Sequence, residues 1–247
     1  MNFDRTRYFD AVRGSLFGGS MSTDQVEGQE AILGEWELQE AETAMTDVRW
    51  LAYMLATTYH ETSQEMQPIE EYGKGSGTEY GKPDPTTGKV YYGRGYVQLT
   101  WASNYQRATA ELGLKGDADL YWHPEMALDP QIAADVMFLG MRDGWFRSDS
   151  KGRQTLGRYF SIDTDDPYTA REIINGDKSK IPTWSNGVSI GKLVEGYHDN
   201  FLAALEVSVT VPPISIPEPE AKVVNVMITA TEGVTVYITV NGKEMSK

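Results

Sequence analysis

Apolar residues recur every three or four positions along most of residues 1–205, a spacing that is typical of amphipathic helices. The strongest pattern spans residues 48–59, where apolar side chains occupy more than one side and indicate a largely buried helix. Thr46 or Asp47 can cap the start of this helix, and residues 60–62 end it. The hydrophobic pattern therefore predicts a mainly α fold.

Proline follows aspartate at two further predicted helix starts. Asp129-Pro130 precedes an apolar face, and Asp166-Pro167 precedes the segment 168–174. Proline suits the first helical position, where its missing N–H would have no partner in any case. The other predicted helices lie on either side of the Gly18-Gly19 turn and over residues 190–205.

Two segments break the helical pattern. Residues 73–95 are rich in glycine and proline and predict a long irregular stretch, which in a compact domain is usually functional or mobile. After residue 206, prolines predict an extended spacer. Alternating β-formers and the turn dipeptides Glu232-Gly233 and Asn241-Gly242 then predict a hairpin. The expected organisation is a main domain over residues 1–205 with an N-terminal helical part over 1–47, a linker over 206–221 and a small β-hairpin tail over 222–247.

An isolated hairpin is only marginally stable in water. We therefore expect the C-terminal tail to dock on the main domain, to self-associate or to bind a protein partner.

Composition excludes several classes of protein. The 247 residues include no cysteine, which excludes disulfide scaffolds and cysteine-ligated metal sites. The net charge of −14 argues against nucleic-acid binding, because that binding depends on cations that neutralise phosphates. No apolar stretch approaches the roughly 18 residues of a membrane-spanning helix. The N-terminus lacks the basic stub and continuous apolar core of a secretory signal.

Three glutamates are the first candidates for catalysis. Glu61 ends the apolar helix, where the helix dipole and a low dielectric both disfavour ionisation, so it could hold a proton near neutral pH. Glu70 and Glu71 follow in a glycine-flanked, accessible segment where a carboxylate would stay ionised. Two carboxylates in unlike environments are the arrangement that cleaves a glycosidic bond. On spacing alone, a helix end and solvated surface charges explain the same residues.

Three motifs give the sequence a family resemblance. They are His60-Glu61-Thr62, residues 91–100 (YYGRGYVQLT) with Asn104-Tyr105 behind them, and residues 173–176 (IING). In this order and spacing, residues 48–205 resemble the glycoside hydrolase family 19 group, which contains chitinases and the lysozyme-like endolysins of bacteriophages. The N-terminal RYFDAVRGSLFGG and the PIEEYG run look especially like phage members.

The resemblance implies an inverting hydrolase of β-1,4-linked N-acetylglucosamine glycans on a mainly helical, lysozyme-like fold, with no cofactor and no metal. It makes Glu61 the general acid and Glu71 the base. Glu70 and then Glu79 are alternatives for the base, because the loop between the two catalytic residues varies in length. The expected substrate-binding residues are Gln98, Thr100, Asn104, Asn175 and Tyr96.

Residues 96–100 also suit a cleft wall on physical grounds. In an extended segment, Tyr96, Gln98 and Thr100 would share one face, and Val97 and Leu99 would lie beneath. Further aromatic candidates for stacking on sugars are Tyr72, Tyr92 and Trp101.

Two positions depart from the family pattern. The group usually has another glycine after Asn-Gly and then an arginine one helical turn before a tyrosine. Here Asp177 stands at the first place and Lys192 or Leu193 at the second. Lysine lacks the bidentate fork of arginine, which puts the C-terminal edge of the cleft in question. For Arg94, an ion pair that orients a catalytic carboxylate and a surface position are both open. His60 is expected to pack against a helix, because the sequence has no metal-binding His-Glu-x-x-His spacing.

The leading hypothesis is an endolysin that cleaves peptidoglycan, favoured by the phage-type N-terminus and the lack of a signal peptide. Such a protein would stay in the host cytoplasm until holin-type release brought it to the cell wall or periplasm. A chitinase on the same fold is the alternative, with chitin as its glycan. An inactive glycan-binding or virion-structural protein is the second alternative, and the presence of both carboxylates argues against it.

Overall fold

The computed structural model of the chain describes residues 2–43, 45–210, 238–240 and 243–245. The chain divides into two compact units, Met1–Val211 and Pro212–Lys247, and each is described by itself. None of the helices in these described ranges is long and apolar enough to cross a membrane.

The larger unit is mainly α, as the hydrophobic pattern predicts. Its α-helices are α1 (Arg5–Ser15), α2 (Thr23–Thr43), α3 (Val48–Glu61), α4 (Ala102–Glu111), α5 (Pro130–Asp143), α6 (Leu156–Tyr159) and α7 (Ile190–Ser208). Shorter 3-10 turns span Gly116–Ala118, Pro124–Leu128, Thr169–Ile173 and Thr183–Ser185. Three antiparallel pairs of two-residue strands complete it: β1 (Asn2–Phe3) with β6 (Val209–Thr210), β2 (Ile69–Glu70) with β3 (Arg94–Gly95), and β4 (Ser148–Asp149) with β5 (Gly152–Arg153).

Helix α3 forms the centre of the core. The Asp47 side chain accepts a hydrogen bond from the Arg49 N–H and so caps its first turn. The nine residues from Leu51 to Tyr59 are all buried, because α3 packs on α7 while other core side chains cover its remaining sides. The helix ends at Glu61, so this carboxylate lies at the edge of the core, at the end of a largely buried helix.

Helix α5 packs against α2 and also ends beside the candidate site. The Asp129 carboxylate accepts hydrogen bonds from the Gln131 and Ile132 N–H groups, which confirms the predicted start. The helix stops at Gly144, whose φ of 67° lies in the left-handed region that favours glycine.

Some boundaries differ from the sequence-based expectation. The segment after Asp166-Pro167 forms a 3-10 turn over Thr169–Ile173 instead of a longer helix. Helix α7 continues to Ser208, and Val209–Thr210 then pairs with Asn2–Phe3. Helix α4 has no side-chain cap at its start, which explains why the capping pattern gave no indication of it.

The described part of the smaller unit is one antiparallel pair, β7 (Ile238–Val240) with β8 (Lys243–Met245). Its register places Val240 opposite Lys243. The Asn241-Gly242 turn, the Glu232-Gly233 turn and residues 211–221 of the predicted linker lie outside the described residues.

Candidate active site

A cleft of about 430 Å³ opens in the larger unit, where the end of α3 meets the irregular segment, the start of α4 and the turn after α5. Its lining residues are Glu61, Glu71, Tyr80, Gly93, Val97, Gln98, Thr100, Trp101, Asn104, Phe146, Arg147, Ile174 and Asn175. Six of the seven predicted site residues are therefore brought together.

Glu61 is paired with a buried arginine. Its Oε1 accepts a hydrogen bond from Arg171 Nη1, and its side chain is 15% exposed. Arg171 also donates from Nε to Asp177 Oδ1 at 2.8 Å. Burial alone would lower the pKa of Arg171, but the two carboxylates raise it overall, so the guanidinium stays charged. The sequence argument for Glu61, a helix end in low-dielectric surroundings, did not include this arginine.

Asp177 and Arg171 also answer the question about the C-terminal edge of the cleft. An arginine does reach this edge, and it comes from the turn Thr169–Ile173, ahead of the Asn-Gly motif. Asp177 fixes the guanidinium of Arg171 from its other side. Asp177 thus has a partner of its own at the position where the sequence departs from the expected glycine.

Glu71 is held in the cleft by three groups. Its N–H donates to Gly93 O at 2.7 Å, and Gly93 N–H donates to Glu71 Oε2 at 3.1 Å. The Tyr80 hydroxyl donates to Glu71 Oε1 at 2.9 Å. These hydrogen bonds fix the position of the Glu71 carboxylate.

The two alternative carboxylates do not line the cleft. Glu70 accepts hydrogen bonds from Lys74 and the Tyr92 hydroxyl, and these two groups, in that order, lower its pKa. Glu79 is paired with Lys82, and its side chain is 75% exposed. The geometry therefore brings Glu71, rather than Glu70 or Glu79, to the same cleft as Glu61.

The Gln98 side chain links the cleft wall to strand β2, which directly precedes Glu71. Its Nε2 donates to Ile69 O at 3.1 Å and to Gly95 O at 3.2 Å. Its side chain occupies the space beside Gly93, where an added Cβ would lie 2.6 Å from Gln98 Oε1. A side chain at position 93 would therefore make the Gln98 amide move from its present position.

Thr100 and Asn104 continue the same wall. The Thr100 hydroxyl donates to Gln98 O at 2.8 Å, and Asn104 Nδ2 donates to Thr100 O at 2.8 Å. These bonds fix both side chains while their oxygen atoms can still accept from water or a sugar hydroxyl. Asn175 lies on the other wall, held through its N–H by Arg171 O at 3.0 Å.

Tyr96 does not line the cleft, so its assignment to substrate binding is corrected. Its side chain is fully buried in the hydrophobic core. Residues 96–98 form a turn that brings Leu99 back to pair with Arg94, and Gln98 has a φ of 55°. An extended strand with alternating faces is therefore absent here, and Val97 takes the place at the cleft that Tyr96 was expected to occupy.

Arg94 is buried, with 5% exposure, and belongs to the scaffold. Its guanidinium stacks on the Tyr92 ring at 3.6 Å and donates to the Tyr105 hydroxyl at 3.1 Å. Its charged partner is Glu70, at 3.7 Å, and not a cleft carboxylate. Of the expected aromatics, Trp101 lines the cleft and packs edge-on against Tyr80, whereas Tyr92 is committed to Arg94.

His60 packs beside Tyr197, and burial lowers its pKa, so a neutral packing role fits it. Within the part of the chain that the structure describes, no group of three or more histidine, aspartate or glutamate side chains could hold a metal ion.

Sequence reasoning missed three lining residues, Tyr80, Phe146 and Arg147. It also missed Arg171, which does not line the cleft but pairs with Glu61. A usable indication existed for Arg171, because it is a charged residue between the buried Ala170 and Ile173, directly before the Asn-Gly motif. Tyr80 lies in the irregular segment, and its contact with Glu71 depends on the path of that loop, which no local pattern reveals.

Comparison with known proteins finds relatives among chitinases. No protein-family model matches the chain. An endochitinase of Arabidopsis thaliana is 32% identical over 128 residues, which cover 51% of this chain and 43% of that protein. The chain thus matches less than half the length of that relative.

Chitinases are also found among the solved structures that resemble the chain, at low sequence identity. Chitinase C from Streptomyces griseus is 19% identical, with a TM-score of 0.50, over 83% of this chain and 92% of that one. A family GH19, class IV chitinase from Zea mays is 18% identical, with a TM-score of 0.45, over 80% and 92%. The chain therefore shares the mainly helical fold of chitinase C, which is the class of fold that the resemblance of its motifs implies.

Proposed function

We propose that the protein hydrolyses β-1,4 glycosidic bonds in glycans that contain N-acetylglucosamine, with Glu61 as general acid and Glu71 as base. The observation that carries this proposal is that both carboxylates line one cleft and have unlike partners. Such a pair can divide the acid and base steps between its members. The endochitinase relative and the fold of chitinase C support the same reaction class.

In the acid step, Glu61 gives its proton to the glycosidic oxygen as the bond from that oxygen to the sugar carbon breaks. Arg171 stabilises the carboxylate that remains. The mechanism requires a protonated Glu61 beside the buried cation of Arg171. Asp177 lowers the free-energy cost of this arrangement, because it still neutralises Arg171 when Glu61 is uncharged.

In the base step, Glu71 takes a proton from a water molecule whose oxygen bonds to the sugar carbon from the opposite face. The product at that carbon therefore has the inverted anomeric configuration. Tyr80 and Gly93 keep the Glu71 carboxylate oriented toward the cleft, and the oxygen atoms of Thr100 and Asn104 can accept hydrogen bonds from the water or the substrate.

A hydrolysis assay on an N-acetylglucosamine hexamer tests the assignments. Glu61→Gln and Glu71→Gln should each lower turnover by about two to four powers of ten without loss of fold. Glu79→Gln, which changes an exposed carboxyl outside the cleft, is the matched control and should keep wild-type turnover. Early-time NMR of the products should show inversion. Near-normal activity in folded Glu61→Gln would refute its role, and a loss in Glu70→Gln but not in Glu71→Gln would reassign the base.

Within this class, we propose peptidoglycan as the substrate. The phage-type motifs of the N-terminus and of the PIEEYG run support this choice. Chitin is the second candidate, favoured by the names of the relatives. Permeabilised Gram-negative cells should lose turbidity in the presence of the protein, with disaccharide-repeat products identified by mass spectrometry. Cleavage of the chitin oligomer alone would favour the chitinase.

A further inference from the structure

Arg147 is a cleft residue that the proposed mechanism does not use. It follows Phe146 in the turn after α5 and lines the cleft with its side chain 35% exposed. The other arginine near the cleft, Arg171, is buried and pairs with both Glu61 and Asp177. Arg147 is thus the accessible arginine among the lining residues.

The Arg147 guanidinium has a fixed seat. Its Nη1 donates to Glu172 Oε2 at 2.5 Å. The guanidinium lies against Gly176, where an added Cβ would be 2.6 Å from Nη2 and 2.8 Å from Nη1. Its Nε and Nη2 make no hydrogen bond with any residue that the structure describes. The guanidinium is therefore anchored through Nη1, and the N–H groups of Nε and Nη2 remain available as donors.

The charges of Arg147 and its two ion-pair neighbours, Glu172 and Lys178, do not cancel. Glu172 Oε1 also lies 3.3 Å from Lys178 Nζ, so one carboxylate serves two cations. This three-residue group carries a net charge of +1 in a protein whose net charge is −14. An arginine held in this way is suited to a carboxylate, because the planar guanidinium can donate two parallel hydrogen bonds to it.

We propose that Arg147 is a specificity-determining residue that binds a carboxylate on the sugar O3 substituent of peptidoglycan. Chitin carries no such group. The carboxylate belongs either to the lactyl ether itself, where the peptide has been removed, or to the peptide attached to it. This inference rests on the proposed glycosidase function and names the feature that would separate peptidoglycan from chitin in the same cleft.

The test compares kcat/KM on four substrates: a chitin oligomer, peptide-bearing peptidoglycan strands, strands stripped of peptide with free lactyl carboxylates, and stripped strands whose carboxyls are reduced to alcohols. Arg147→Gln should lower the ratio of strand cleavage to chitin cleavage roughly tenfold. If the lactyl group supplies the carboxylate, its reduction should lower the wild-type ratio by a similar factor but leave the ratio of Arg147→Gln unchanged. Arg13→Gln removes the same charge from the exposed side of α1 and should not change the ratio.

A second variant guards against loss of fold. Lys178→Gln leaves Arg147 in place but removes the second cation from Glu172, so it should lower the ratio in the same direction by a smaller factor. A ratio that falls only with peptide-bearing strands assigns the carboxylate to the peptide, and a fall with stripped strands assigns it to the lactyl group.

Equal losses on every substrate in folded Arg147→Gln would overturn the inference, since they indicate a structural role alone. A wild-type protein that cleaves the chitin oligomer but no strand would also overturn it and leave the glycosidase function intact. A wild-type protein that cleaves none of the four substrates would instead refute the proposed function itself.

Discussion

Glu71 depends on residues from two other segments of the chain. Tyr80, in the irregular segment, donates to one carboxylate oxygen, and Gly93, beside β3, donates to the other. The carboxylate itself follows β2, which pairs with β3. The loss of a single donor at Tyr80 or Gly93 should therefore change the orientation of the Glu71 carboxylate, although neither residue is assigned a role in the acid or base step.

Tyr80→Phe removes one hydroxyl from this arrangement. We expect kcat to fall roughly tenfold with a smaller change in KM, because a charge-assisted hydrogen bond is worth about 1.5–3 kcal/mol and now orients the base less well. Steady-state kinetics on the hexamer measures it. Tyr72→Phe is the matched control, since Tyr72 is fully exposed beside Glu71. An equal effect of both changes would contradict the role of Tyr80.

Gly93→Ala tests the close contact with Gln98. An added methyl group would displace the Gln98 amide, which joins the wall to Ile69 O. We expect activity to fall roughly tenfold or more because small misplacements of catalytic groups are costly, while the circular dichroism spectrum stays native. Gly14→Ala, where the added Cβ meets no atom within 4 Å, should keep full activity. Wild-type activity in Gly93→Ala would show that Gln98 can move without consequence.

Helices α2 and α5 are joined by an acidic contact. Gln131, at the start of α5, donates to Glu35 Oε2 at 2.7 Å and to Asp135 Oδ1 at 3.1 Å. Burial, and then the charge of Glu35, raise the pKa of Asp135 to about 6. The folded state thus favours the protonated form of Asp135, so its contribution to stability is complete below its unfolded pKa near 4 and is lost as the pH rises through about 6.

Asp135→Asn should remove the loss of stability that occurs when the pH rises through about 6. At pH 8 we expect the variant to be more stable than the wild type by about 1 kcal/mol, a figure reduced from the full pKa shift because the group is partly exposed. At pH 4 the two proteins should unfold at similar denaturant concentrations. Urea titrations at both pH values measure the difference, and an equal gain at pH 4 and pH 8 would show that the contact does not titrate in this range.

At the scale of the whole molecule, local sequence predicts elements well and long-range contacts poorly. Asp47 and Asp129 cap their helices through bonds within one turn, so their pattern is visible in the sequence. The contact between Glu61 and Arg171 joins residues 110 positions apart. The turn over residues 96–98 was not predicted either. A positive φ is usually marked by a glycine in the sequence, but here the residue with a positive φ is Gln98.

The end of the larger unit gives a prediction about truncation. A chain that stops at Thr210 should cleave the soluble hexamer within a few-fold of the full chain, because every cleft residue lies before it. A chain that stops at Leu205 loses the Asp4 N–H bond to Ser208 O and the β1–β6 pair, and should be less stable by about 1–2 kcal/mol. Thermal unfolding and the hexamer assay measure both. Loss of turnover in the Thr210 chain would mean that the tail contributes to the cleft.

The pairing of Asn2 with Thr210 places the two ends of the larger unit side by side. Neighbouring antiparallel strands lie about 5 Å apart, a gap that a few glycine and serine residues can bridge. The ends could therefore be joined and the chain reopened at the exposed Lys115-Gly116 bond, where a Cβ on Gly116 would meet nothing within 4 Å. In such a circular permutant, Asn175 would precede Glu61 along the chain while the cleft kept its walls. The cleft thus depends on how these elements pack together and not on the order in which the ribosome makes them.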